Sequence, residues 1–442
     1  MSIDTVPPSV HPDLARHQES MNPKVFNLNG NIYTAFGYTV VNCTLIEGDD
    51  ACILVDTLTN MDAAEIVAAE FKKITDKPIK TVIYTHFHAD HVSGTKAFLS
   101  EEELANGVEV IGQEELADHV MRDVGLIAPI LGRRAMYQFG MRLPVGQNGT
   151  VGAGLGPPQR PGKRSFVPPN KTFKQTYKGK TGGINFEIHL IPSETEDQCA
   201  VWLPDEKVLL SADAVYESFP NVYALRGTRF RNPMVWAKGI DRLRKFEAET
   251  LIPHHGRPVE GVKKIDALLT DYRDAIQYVH DQTLRYMNKG FTPDEIKEVV
   301  TMPDRLRDHP WLGEYYGSYK HAIPAIFAGY LGWYQGDPVA LNPTSWIEKA
   351  NRYVDLMGGR DKVLSLANEA LNDDDAQWAA ELLTWLVRAD RSDQEARTMK
   401  AEALRRWSYH QKNATWRNWG LTSAMELDGE LDAAGGGMVL GS

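Results

Sequence analysis

Within the run TVIYTHFHADHVSG, four side chains able to bind a metal, His86, His88, Asp90 and His91, fall within six positions directly behind a short apolar stretch. A strand that ends there can present such a run at its tip. On extended backbone His86 and His88 face the same way, and a turn at Asp90 and His91 brings those two beside a second metal position. A lone histidine is usually a satisfied packing residue. Three histidines and an aspartate in the order HxHxDH point instead to a site for two metal ions, so the fold must bring a strand end to an open cleft.

The surrounding sequence supplies such strands. Residues 31–56 alternate short β-rich runs with turns (NIYTAFG, YTVVNCTLIEG, ACILVDT), which predicts an opening antiparallel meander. Residues 61–74 carry apolar positions at helical spacing, and KTVIYTH at 80–86 is a short buried strand, so the segment is of the α/β class. From about residue 125 to 175 the chain is rich in Gly and Pro and predicts a long ordered loop over a site. GINFEIHLIP, CAVWLPD and KVLLSAD then read as three strands, and TLIPHHG as another that ends at paired histidines. Beyond residue 262 helix follows helix: Thr292 with Glu295 is a capping signal, Gly358-Gly359 a stop, and DAQWAAELLTWLV with QEARTMKAEALRRWSYH a packed pair. A chain of 442 residues exceeds what one core usually organises, and the change of pattern divides it into a unit at 1–265, a helical unit at 266–430 and a frayed tail at 431–442.

The net charge of -11 comes from dispersed acidic residues without a basic run, which excludes a general affinity for nucleic acid. An anionic substrate must therefore be held by local cations. No stretch is apolar enough for a membrane span, the first residues show no leader pattern, and a cytoplasmic location follows. Cys43, Cys52 and Cys199 form no CxxC pair and suit reduced, buried thiols.

At HxHxDH the chain resembles the metallo-β-lactamase superfamily, whose fold is an αββα sandwich with a two-metal site between its sheets. The resemblance implies that Asp56 in ILVDT orients ligands from behind. It also implies three later ligands at strand ends: Glu194 in IPSETEDQ, Asp213 in LLSADAVY as the bridge, and His255 in IPHHGRP, chosen over His254 because it directly precedes glycine. Glu194 stands where the superfamily usually carries histidine. The alkylsulfatases within the superfamily have glutamate there, and the likeness to them extends through the helices, as in YLGWYQGDP and TWRNWGLTSAMEL, to an all-α dimerisation domain.

Arg226, Arg229, Arg231 and Asn221 follow a ligand closely and could by residue type alone grip a tetrahedral anion or form a solvated face. The alkylsulfatase likeness implies that Asn221 and Arg226 hold the sulfate and that Arg231 approaches it. It also implies that MYQFGMRLPVGQNGTVGAGLG closes as a lid, with Asn148 and Thr150 as contacts. On that reading two Zn2+ ions sit on the seven ligands, with His86, His88 and Glu194 on one, Asp90, His91 and His255 on the other, and Asp213 between them. Activated water then hydrolyses an alkyl sulfate, with Asp90, Asp213, Asn221 and Arg226 as the reacting set, in a homodimer. These sulfatases often continue into a sterol-carrier-like domain that this sequence lacks, which implies weaker affinity for long chains. Two rival readings remain: a hydrolase of another ester (lactone, thioester or phosphodiester), and a scaffold without catalysis.

Overall fold

Alternation along the strands sorts side chains onto two faces, and both faces of the central strands of each sheet are covered. The computed structural model describes residues 9–431; the proposed tail beyond residue 431 and the first eight residues lie outside them. One sheet joins β1 (Lys24–Leu28), β2 (Ile32–Phe36), β3 (Cys43–Glu47), β4 (Cys52–Val55), β5 (Ile79–Ile83), β6 (Glu109–Gln113) and β7 (Lys171–Phe173) in that order. β1 to β4 form the antiparallel meander expected, and β5, β6 and β7 add in parallel. The second sheet contains β8 (Thr176–Thr181), β9 (Ile184–Leu190), β10 (Cys199–Leu203), β11 (Val208–Tyr216), β12 (Thr250–His255) and β13 (Val259–Glu260), ordered β13-β12-β11-β10-β9-β8. Only β11 and β12 run parallel there.

Ile53, Val55, Ile83 and Ile111 of the first sheet meet Ile188, Val201, Leu210 and Ile252 of the second in one core between the sheets. Their neighbours Leu54, Val82 and Val110 face outward onto Ala64, Val67 and Phe71 of the helix Met61–Lys72. On the far side Leu209 and Leu251 pack with Trp236 and Ile240 of the helix Pro233–Arg244 and with Leu269 and Tyr272 of the helix Val262–Met287. The result is the αββα sandwich, followed by a helical domain. Burying a Leu, Ile or Val at these positions contributes roughly 1.5–3 kcal/mol each.

In the helical domain the glycine pair separates the helices Trp346–Leu356 and Arg360–Asn372, and Asp375 caps Ala376–Ala389 through Trp378 N. Thr292 and Glu295 form the reciprocal cap that their spacing predicts. The helices Ala376–Ala389 and Gln394–Tyr409 pack as a pair. One difference from the sequence reading lies in the long segment after residue 125: a helix, Ala128–Gln138, occupies part of it. Pro129 sits in its first turn, where a missing N–H costs nothing, so the proline opens this helix. No helix among the described residues is long and apolar enough to cross a membrane.

Candidate metal centre

Strand β5 ends at Ile83, and Tyr84 and Thr85 carry the chain to His86; a one-turn helix, Ala89–Val92, then carries Asp90 and His91. Gly94 closes the motif because the backbone approaches there: a Cβ would lie 2.0 Å from Thr57 O and 2.6 Å from Ala64 Cβ. Asp56, at the end of β4, adopts a left-handed φ of 58°. Its carboxylate accepts from Thr85 N and Thr85 Oγ1 (both 2.8 Å) and lies 2.6 Å from His91 Nδ1. That contact places the His91 proton on Nδ1 and leaves Nε2 with its lone pair facing the cleft. Val40 O does the same for His255, 2.6 Å from Nδ1.

In β11 the register with β12 shifts between Leu210 and Ala212, and Ala212 has a left-handed φ of 50°. A bulge of this kind re-aims the next side chain. Asp213 Oδ2 accordingly lies 3.0 Å from His255 Nε2, 3.4 Å from His91 Nε2 and 3.6 Å from His86 Nε2. Asp90 Oδ2 is 3.6 Å from both His91 Nε2 and His255 Nε2, and Glu194 Oε1 is 3.8 Å from His88 Nδ1.

Two donors about 2.0–2.1 Å from a tetrahedral ion are separated by about 3.3 Å, so the spacings of 3.0–3.8 Å suit cations between these atoms. Three compact donor groups result: His88 with Glu194 and Asp213, Asp90 with His91 and His255, and His86 with His91 and Asp213. Asp213 belongs to two of them. All seven residues named from the sequence come together, and the geometry brings His255, rather than His254, into the cluster. His91 Nε2 and Asp213 Oδ1 are buried without a hydrogen-bond partner among the described residues, as metal-directed atoms would be.

The charge balance points the same way. Burial lowers His86 and His88 well below the usual histidine value, giving the neutral imidazoles a metal needs. Burial also disfavours charge on His255, but the Asp213 carboxylate outweighs it and holds the ring up at about 9. His91 is raised in the same way, by Asp213 and then Asp56 against burial. Positive charge is therefore favoured where these rings meet the carboxylates. Glu194 is pushed up to about 7 by burial, against the pull of Arg231. The donor set fits metal ions.

Arg231 is 4% exposed, with Nη1 2.5 Å from Glu194 Oε1 and 2.6 Å from Asn221 O. Asn221 is buried, its backbone N–H bonded to Tyr216 Oη, and its side-chain amide makes no hydrogen bond with a described residue. Arg226 lines two cavities that meet at the centre. The smaller, about 420 Å³, also holds Glu194, Arg229 and Arg231. The other, about 460 Å³, is lined by Asp90, Asp213 and His255 and by Val92, Leu131, Phe139, Leu155 and Phe166.

Asn148 and Thr150 are not brought to these cavities. Asn148 is exposed, and Thr150 is buried with its hydroxyl donating to Gly152 O. Arg417 donates to Gln147 O and Gly149 O, and Asn418 to Gly152 O, so this stretch of the expected lid is pinned to the last helix of the domain. Leu155, just beyond, does reach the apolar cavity. Two residues the sequence did not mark support Arg226. Arg134 donates to the carbonyls of Arg226 (2.8 Å) and Leu225 (2.5 Å), and Gln138 Oε1 accepts from Arg226 N at 2.7 Å.

The family model for the metallo-beta-lactamase superfamily matches residues 37–255, and that for alkyl sulfatase dimerisation matches 292–430. A linear primary-alkylsulfatase of Pseudomonas sp. is 47% identical over 391 residues, 88% of this chain and 74% of the relative. An alkyl/aryl-sulfatase of Saccharomyces cerevisiae is 35% identical over 95% of this chain, which spans 66% of that relative's length. For an (R)-specific secondary-alkylsulfatase of Pseudomonas sp. the identity is 34%, over 96% of this chain and 65% of the relative. Among solved structures, a stereoselective inverting sec-alkylsulfatase from Pseudomonas sp. superposes with a TM-score of 0.92 at 32% identity, over 96% of this chain and 69% of that one.

Proposed function

Because the chain belongs to the alkylsulfatases of the metallo-β-lactamase superfamily, we propose that it hydrolyses alkyl sulfate esters to an alcohol and inorganic sulfate. The observation that carries this reading is a cavity lined by Asp90, Asp213, His255 and Arg226 together with Val92, Leu131, Phe139, Leu155 and Phe166. An apolar chain suits the aliphatic and aromatic lining and a sulfate head the charged one.

We assign His86, His88 and Glu194 to one zinc, Asp90, His91 and His255 to the second, and Asp213 to both. Bound there, the pair would supply Lewis acidity and a water of lowered pKa. The chain's own part is positioning. Asp56 and Val40 O fix the tautomers of His91 and His255, the cavity walls exclude bulk water, and the Arg226 guanidinium with the free Asn221 amide receives the anionic head. Arg134 and Gln138 hold the backbone from which Arg226 projects. The catalytic unit is taken as residues 1–265 and the helical unit as 266–430, and a reducing cytoplasm suits the buried free thiols of Cys43, Cys52 and Cys199.

The test is sulfate release from alkyl sulfates of graded length, run beside a phosphodiester, a lactone and a thioester. Activity confined to one of those three would retire the reading, and a folded, metal-free and inert protein would favour a scaffold. Within that assay Arg226→Ala is expected to cut kcat/KM about 10²- to 10³-fold, the usual cost of removing one preorganised anion donor, with metal content unchanged.

The helical domain is assigned to homodimer formation. Trp333, Val339 and Leu341, on the segment between the helices Tyr319–Leu331 and Trp346–Leu356, are 70%, 72% and 59% exposed, an apolar stretch with little of its own chain to cover it. Replacing Trp333 and Leu341 together by serine is expected to shift the protein from dimer to monomer in sedimentation, with helix content retained. An unshifted dimer would move the interface elsewhere.

A further inference from the structure

A third cavity, about 550 Å³, lies away from the metal centre, where the last helices of the helical domain meet the loop before Arg226. Its walls are Tyr223 and Leu225 from that loop, Leu404 and Trp407 from the helix Gln394–Tyr409, and Trp416 and Trp419 from the helix Ala414–Asp428. Three indoles and two leucines make it apolar. Lys400 breaks that character: it lines the cavity, is 7% exposed, and makes no side-chain hydrogen bond or ion pair with a described residue. Burial lowers its ammonium to about 8, so it still carries its charge at neutral pH. A buried, unpaired cation is costly, and proteins keep few of them without a partner.

One further cation stands in the same wall. Arg134 stacks on Trp419, 5.1 Å from its centroid, while donating to Leu225 O and Arg226 O. Glu381 is the one carboxylate in the lining; it is exposed and already accepts from Gln377. The buried Glu426 carboxylate, which accepts from the Tyr137 hydroxyl, acts on the Lys400 ammonium through its charge from outside the lining. The cavity thus offers an apolar aromatic volume and a buried ammonium that no side chain of the lining pairs with.

The geometry points to a second ligand site here, for a single-chain organic anion whose carboxylate or sulfonate-type head meets Lys400 and whose apolar tail lies against Trp407, Trp416 and Trp419. The cavity is of the size that encloses small ligands, and indole faces with one charged group are what such an amphiphile needs. Since Arg134 joins this wall to the carbonyls of Leu225 and Arg226, an occupant touches the support of the anion-gripping loop. The inference does not depend on which ester the metal centre hydrolyses.

The experiment titrates the intact dimeric protein with octanoate, with octanesulfonate and with octyl alcohol, following indole fluorescence. Both anions are expected to saturate the signal, the tighter one identifying the head group, and the alcohol to bind more weakly. Lys400→Met should weaken the anions about tenfold or more and leave the alcohol unchanged, as expected for a lost charge-assisted contact. Thr384→Trp, which fills the cavity from a half-buried position, should abolish all three responses. Both variants should keep the wild-type kcat/KM for an alkyl sulfate at low concentration, which separates this site from the metal centre. Anion affinity equal in the wild type and both variants overturns the inference. So does the absence of any saturable binding, including the case in which a second copy of the chain covers the cavity.

Discussion

With Asp213 replaced by asparagine, sulfate release from an alkyl sulfate is expected to fall by about 10³-fold or more, and bound metal to fall below two ions per chain. The shape of the side chain is kept, so packing in β11 survives. What changes is charge and direction of hydrogen bonding. Asp213 Oδ2 stands 3.0, 3.4 and 3.6 Å from the Nε2 atoms of His255, His91 and His86, the point at which three imidazoles converge. An amide there offers either a neutral oxygen or an N–H, and neither replaces an anion shared between two cations. Sulfate release and metal analysis on the same preparation check the result. Loss of activity with both ions retained would make Asp213 a reacting group that is not a ligand, and no change in either would remove it from the centre. His254→Ala is the useful contrast: that ring lies outside the three donor groups, so two bound ions are expected to remain.

The part of this centre that is local in sequence could be read without coordinates. HxHxDH states four donors at once, because a strand end and one helical turn convert spacing directly into direction. The strands were legible as short β-rich runs, ILV and TVI and again VWL and VLL, whereas their arrangement as a sandwich came from the family likeness. Grouping seven donors required strand order, which periodicity does not encode, and there the family likeness supplied Glu194, Asp213 and His255. The support of Arg226 was not legible at all. Arg134 and Gln138 reach backbone atoms of Leu225 and Arg226, and a bond to a carbonyl or amide leaves no residue-type signature at the other end. The helix Ala128–Gln138 that carries them was obscured by the glycines and prolines around it. Asn148 and Thr150 show the opposite error. A glycine-rich stretch suggests mobility, yet Arg417 and Asn418, far along the chain, hold its carbonyls in place.

Arg231→Met separates the approach to sulfate that the likeness implies from the pairing with Glu194 that the structure adds. Arg231 is nearly fully buried and lies against Glu194, Asn221 O and Thr228 Oγ1, at 2.5, 2.6 and 3.3 Å. Methionine keeps much of the length and removes the charge, leaving Glu194 buried with Asp213 and Asp90 as the nearest charges of its own sign. Breaking such a pair from one side costs up to about 3–5 kcal/mol while the carboxylate stays charged, and less here because Glu194, already pushed up to about 7 by burial, takes up a proton at neutral pH once Arg231 is gone. In metal-stripped protein the variant is therefore expected to unfold several degrees below the wild type. A cation held by Glu194 would take over part of the missing countercharge, so the deficit should narrow on adding zinc, and this narrowing is the diagnostic measurement. If Arg231 served only to grip the substrate, the two proteins would melt together without metal and differ only in KM. If it served only as a countercharge, metal would restore both stability and KM. The contact with Asn221 O predicts that KM stays raised even when zinc has restored the melting temperature, since the segment bearing Asn221 and Arg226 has lost one of its anchors.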